Sequence, residues 1–130
     1  MTREELTEYI IEEYRVPSDT PFPGDFDSAV FRHKENRKWF ALIMRIGKDK
    51  LGIPEEGMVD IVNVKVEPEM TGYLTGSVSI YPAYHINKTH WVTVLLDGSA
   101  ADELVKNLVD MSYSLTDKKR KPKNLSEAIL

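Results

Sequence analysis

A chain of 130 residues with 42% hydrophobic and 29% charged side chains has the size and balance of one globular domain. That length buries roughly two-thirds of the unfolded surface around a single core. It contains no cysteine, which excludes disulfides, thiolate nucleophiles and thiolate metal sites together. The net charge of −4 is uneven, with 10 basic and 15 acidic side chains in residues 1–79 and 7 and 6 in residues 80–130. An acidic balance argues against tight DNA binding, because neutralising phosphates supplies most of that affinity.

No apolar run approaches the roughly 18 residues that span a bilayer, so no membrane partner is expected. The opening M-T-R-E-E-L has no apolar signal core, and a cytoplasmic location is the expectation. Thr2 followed three residues later by Glu5 forms a capping box, and Leu6, Tyr9, Ile10 and Tyr14 recur at helical spacing. A first helix is therefore predicted over about residues 3–14. Its other faces carry Glu4, Glu5, Glu8, Glu12 and Glu13, a solvated surface or a ridge for a partner. Residues 16–27 hold three prolines, a glycine and three aspartates and read as an irregular connection, in which Phe22 between two prolines is expected to plug the core.

Residues 29–33 and 38–46 read as the two strands of a hairpin turning through Lys34, Glu35, Asn36 and Arg37. In the second strand Phe40, Leu42, Met44 and Ile46 are expected to face the core more completely than Trp39, Ala41, Ile43 and Arg45. Residues 47–57 are too polar and too broken for a regular element. Residues 59–66 resume strand character with one wetter face. Pro68 opens a helix that Gly72 and Gly76 limit to about two turns. Asp97-Gly98 closes the last strand, Ser99 is expected to cap a final helix, and Leu104, Val105, Leu108 and Val109 give that helix one apolar stripe. From Asp117 the pattern fails amid five basic residues, so residues 1–116 are read as the domain and 117–130 as a basic, solvated, mobile tail.

The stretch from Ile80 to Leu96 stands apart. Pro82, Tyr84, His85, Asn87 and Lys88 lead into a strand whose β-branched and aromatic residues fall on both parities, the signature of burial on both faces. Trp91 and Phe40 are expected in the core. The string P-x-Y-H-x-N-K-x-H-W-V-T-V-L-L-D-G-S, with a later D-M-S-Y-S-L and the earlier P-F-P-G-D, V-F and W-F-A-L, resembles the MmcQ/YjbR family of small bacterial proteins. The resemblance covers about residues 1–116. It implies a frataxin-like (CyaY-like) sandwich and a DNA-binding role, with no catalytic residues to carry over.

The fold expected is α+β: one antiparallel sheet of about five or six strands, packed by the N- and C-terminal helices as a two-layer sandwich. A metal site would have to draw on His33, His85 and His90, whose spacing matches no ligand pattern, so no metal and no cofactor are expected. Neither a nucleophile elbow nor a glycine-rich phosphate loop is present, which leaves enzyme chemistry only as a general acid–base role for His85. The reading is a non-enzymatic binding protein. Tyr84, His85, Asn87, Lys88 and Trp91, beside a hairpin turn carrying Lys34, Arg37 and Lys38, would hold DNA weakly and without sequence preference. The alternative is a protein-interaction or regulatory module using the same surface or the acidic first helix. Lys88, between Asn87 and Thr89, has no evident structural task in the sequence.

Overall fold

The computed structural model describes residues 1–117. The elements run α1 (Arg3–Tyr14), β1 (Ala29–Arg32), β2 (Trp39–Gly47), β3 (Met58–Lys65), α2 (Thr71–Leu74), β4 (Ile80–Pro82), β5 (Trp91–Leu95) and α3 (Asp102–Thr116). All strand pairs are antiparallel, in the order β1-β2-β3-β5-β4. The α+β class, the strand number and the two bracketing helices are as expected. Apart from Asp117, the expected basic tail lies outside the described residues.

The capping box starts α1 as read: the Thr2 hydroxyl accepts from the Glu5 amide at 3.1 Å, and the Glu5 carboxylate accepts from the Thr2 amide at 2.9 Å. That helix buries Leu6 and Ile10, and α3 buries Val105, Leu108 and Val109. Both helices lie on one face of the sheet, over Ala41, Ile43, Val62, Val64, Val92 and Val94, which the strand registers align as neighbours. Each valine or isoleucine among them, taken from water, contributes about 1.5–3 kcal/mol. Polar ties fix the helices to each other: the Tyr9 and Tyr14 hydroxyls both donate to Asp110, and the Met1 amino group pairs with Asp102 at 2.9 Å. Burial, with Asp110 beside it, pushes the Tyr9 hydroxyl up to about 12 and raises Tyr14 further.

Among the described residues, no α-helix packs on the opposite face. Ile46, Val59, Ile61 and Leu95 are covered there by Leu51, Ile53, Tyr81 and Tyr84, all from connections or the edge strand. This overturns the expected parity of β2. Phe31 pairs with Ala41 but Arg32 pairs with Trp39, so Phe40 is the extra residue of a β-bulge. The bulge turns Phe40 to the helix side, against Phe31, Tyr14 and Tyr113, alongside odd-numbered Ala41 and Ile43. The even-numbered Met44 and Ile46 lie on the connection face instead. For the same reason β3 has no wetter face: Ile61 and Asn63 are as buried as Val62 and Val64.

Two local expectations also change. The connection after β2 contains a 3₁₀ turn, Lys48–Leu51, which presents Leu51 to the apolar cluster. Ser99 does not cap α3: its hydroxyl donates to Asp97 within a turn, and Ala101 takes the cap position with no side-chain hydrogen bond. The negative charge of Asp102 in the first turn, paired with Met1, suits the positive end of the helix.

Candidate nucleic-acid interface

Lys65 pairs with Trp91, Pro82 with Val92, and Arg32 with Trp39, so the β1–β2 turn and the β4–β5 connection leave the sheet at the same end. The connection, residues 83–90, folds over the sheet and is held by two buried polar side chains. The Asn63 amide group donates to the Tyr84 carbonyl at 3.1 Å, and the Thr93 hydroxyl accepts from the Tyr84 amide at 2.9 Å while donating to Asn63. Asn87 then accepts from the amides of Thr89 at 2.7 Å and His90 at 3.2 Å, closing the turn. Lys88 does have a structural task, because its ammonium donates to the Ala83 carbonyl at 2.7 Å. His85 takes a left-handed backbone (φ 59°), and its exposed ring stands edge-on to Tyr84 at 4.2 Å rather than against a carboxylate.

On the hairpin, Lys34, Arg37 and Lys38 are all exposed, with Arg37 left-handed at φ 63°. Asn36 accepts from the Lys38 amide at 2.8 Å and donates to the Thr116 carbonyl at 2.9 Å, tying the turn to the end of α3. Beneath it His33 is buried, its ring 4.2 Å from Tyr113 and its Nε2 2.8 Å from the Thr116 hydroxyl. That hydroxyl also donates to the Ser112 carbonyl at 2.8 Å. Burial lowers the His33 pKa and keeps the ring neutral. A cavity of about 200 Å³ lies here between Tyr14, His33, Glu35 and Tyr113, smaller than the roughly 300 Å³ at which small-molecule sites begin. No cluster of three or more candidate metal ligands occurs among the described residues.

A row of side chains joins the hairpin to the connection. Val30, Leu42, Asn63 and Thr93 are successive neighbours across the sheet on its connection face. Two residues nearer the shared end, alternation puts Arg32, Lys65 and Trp91 on that same face. In β2 the bulge puts Trp39 where Phe40 would otherwise stand. The row is therefore Arg32, Trp39, Lys65 and Trp91, one from each of β1, β2, β3 and β5, all partly exposed. The Arg32 guanidinium sits 5.9 Å from the Trp39 ring centre and pairs with Asp19 at 2.8 Å, while Lys65 has no ion pair among the described residues.

Trp91 is thus not the core residue expected, because it occupies the first, partly open position of β5; Phe40 is fully buried. Phe22 is 38% exposed and packs edge-on against Trp39 at 6.3 Å instead of plugging the core. Of the residues read from the sequence, Tyr84, His85, Asn87 and Lys88 lie on the connection and Trp91 opens β5 directly after it, while Lys34, Arg37 and Lys38 are at the same end of the sheet with β3 between. Arg32, Trp39 and Lys65, which bridge the two groups, were missed. The half-open Trp39 was the one available sign, since a bulge leaves no mark in hydrophobic alternation.

The YjbR family model matches residues 11–115. The uncharacterized protein YyaQ of Bacillus subtilis is 34% identical over 116 residues, covering 89% of this chain and 98% of that protein. The uncharacterized protein YjbR of Escherichia coli is 42% identical over 66 residues, 46% of this chain and 56% of that protein. A crystal structure of a Pseudomonas syringae protein, 42% identical, superposes with a TM-score of 0.88 over 90% of this chain and all of that one. The Deinococcus radiodurans protein DR2400, with domain DUF419, gives 0.69 at 32% identity over 94% of this chain and 83% of its own. No described helix is long and apolar enough to cross a membrane. The P-x-Y-H-x-N-K-x-H-W string that carries the resemblance builds the connection and the start of β5, and the chain belongs to the YjbR family.

Proposed function

We propose that the protein is a non-enzymatic binding protein that holds nucleic acid weakly and with little sequence preference at the basic, aromatic end of its sheet. The observation that carries this reading is the row Arg32, Trp39, Lys65 and Trp91, at the end of the sheet from which the hairpin turn with Lys34, Arg37 and Lys38 and the connection with Lys88 also leave. A net charge of −4 repels phosphates at long range, so affinity has to come from a local cluster and fades quickly with salt, by about 0.9 log units per log unit of salt for each phosphate contact on duplex DNA. An anisotropy titration of labelled oligonucleotides at two salt concentrations tests it. Lys65→Glu should weaken binding to unrelated sequences about equally, with the melting temperature nearly unchanged. Absence of binding at low salt overturns the reading.

A second reading, a protein-interaction module, draws support from the outer face of α1. There Ile11 is 40% exposed among Glu4, Glu8 and Glu12, an apolar spot in an acidic rim. An acid–base role for His85 has less support, since the ring is exposed and stands against Tyr84.

A further inference from the structure

Resting on the nucleic-acid reading above, we infer that the row is a platform for single-stranded nucleic acid, with Trp39 and Trp91 each stacking a base and Lys65 between them meeting the phosphate backbone. Trp39 stands on β2 and Trp91 on β5, with β3 between, so at about 4.8 Å per strand step their backbones are about 10 Å apart on one face. A strand lying across the β-strands passes Arg32, Trp39, Lys65 and Trp91 in turn.

Three features favour a single strand over a duplex. First, an indole face can stack only on a base whose face is open, and a duplex hides those faces within its own stack. Second, a major groove is read by a protruding helix or ribbon, whereas α1 and α3 both lie on the face of the sheet opposite the row. Third, the cations are divided in their tasks. Arg32 is engaged with Asp19 and lies over Trp39, while Lys65 makes no ion pair among the described residues and is available to a phosphate. Because every base has a π face, such a platform accepts any sequence, which matches the weak selectivity proposed above.

The chain has two tryptophans, and both are in the row, so their own emission reports occupancy. The experiment titrates the full chain at low salt with an oligothymidylate of about ten nucleotides and, separately, with a duplex of equal length, following tryptophan quenching and the anisotropy of the labelled oligonucleotide. The variants are Trp39→Leu and Trp91→Leu, which keep apolar bulk but remove the π face, with melting temperatures measured alongside. The expected result is tighter binding of the single strand, quenching on binding, and about 5- to 100-fold weaker binding in either variant. Equal or tighter duplex binding with unquenched tryptophans, or unchanged binding by the leucine variants, overturns the platform while leaving the nucleic-acid reading standing. No binding of either oligonucleotide overturns both, and a protein partner takes their place.

Discussion

His33 occupies the seam between the β1–β2 turn and the end of α3, with Phe40 and Tyr113 against its ring. Burial is the largest influence on its pKa and lowers it; the nearby Asp117 carboxylate and the Tyr113 backbone pull it up, and Lys38 adds to the lowering. In the unfolded chain the ring takes a proton near its ordinary value of 6.5, whereas in the folded chain it resists. The unfolded state therefore binds more protons below about 6.5, and stability falls as pH drops through that window. The depressed carboxyls of Asp25, held by the Ser28 hydroxyl, and Asp102, held by the Met1 amino group, act lower, below their ordinary value of 3.8. Urea midpoints at about pH 7 and about pH 5 should show a clear loss for the wild type and a smaller one for His33→Gln. An identical loss in both would show that another group titrates. In the sequence His33 was legible only as a possible ligand, because neither its burial nor its bond to Thr116, 83 positions away, has a local signature.

At the scale of elements, the bulge in β2 opens a gap in the ladder to β3, and α3 fills it. The Ser112 hydroxyl accepts from the Lys65 amide at 2.8 Å and donates to the Phe40 carbonyl at 2.6 Å, standing in for the direct bond the bulge removes. Helix α1 was readable to the residue because its cap and apolar spacing are local, and the hairpin was readable because its turn is polar. The bulge was not, since strict alternation carries the face of Phe40 on to Leu42, Met44 and Ile46, which lie on the other face. Ser112 lay within a recognised string, yet nothing nearby in sequence says that its hydroxyl reaches two strands. Ser112→Ala keeps the side chain small enough to fit and orphans two buried backbone groups, so it should cost about 1–3 kcal/mol in denaturant unfolding. The same variant should shift the tryptophan emission of Trp39, which the bulge orients. A cost below about 0.5 kcal/mol, the level of a neutral surface change, would mean that water replaces the hydroxyl and that the bulge does not depend on α3.

Across the whole molecule, the sheet is shared between two unlike faces: helices pack one side, and connections cover the other. The class of fold could be read from two amphipathic helices bracketing alternating strands. That both helices take the same face is what the expected two-layer sandwich requires, and the structure has it so. Strands β2, β3 and β5 present residues to both clusters, Ile43 and Val62 on one side against Ile46 and Ile61 on the other. Loss of packing on either face is thus felt by the same strands, and the molecule should unfold as one unit. Phe40→Ala on the helix face should cost about 3–5 kcal/mol and Ile61→Ala on the connection face about 2–5 kcal/mol, large fractions of the roughly 5–15 kcal/mol that a domain holds. Trp91→Ala should cost less than either, because the ring is only partly buried. Circular dichroism follows the helices on one face, and emission from Trp39 and Trp91 follows the end of the other. The two transitions should coincide in the wild type and shift together in both core variants. If Ile61→Ala moved the emission transition and left the circular dichroism transition in place, the connection face would be a separate, weaker layer, and the proposed interface would rest on a surface that opens independently of the core.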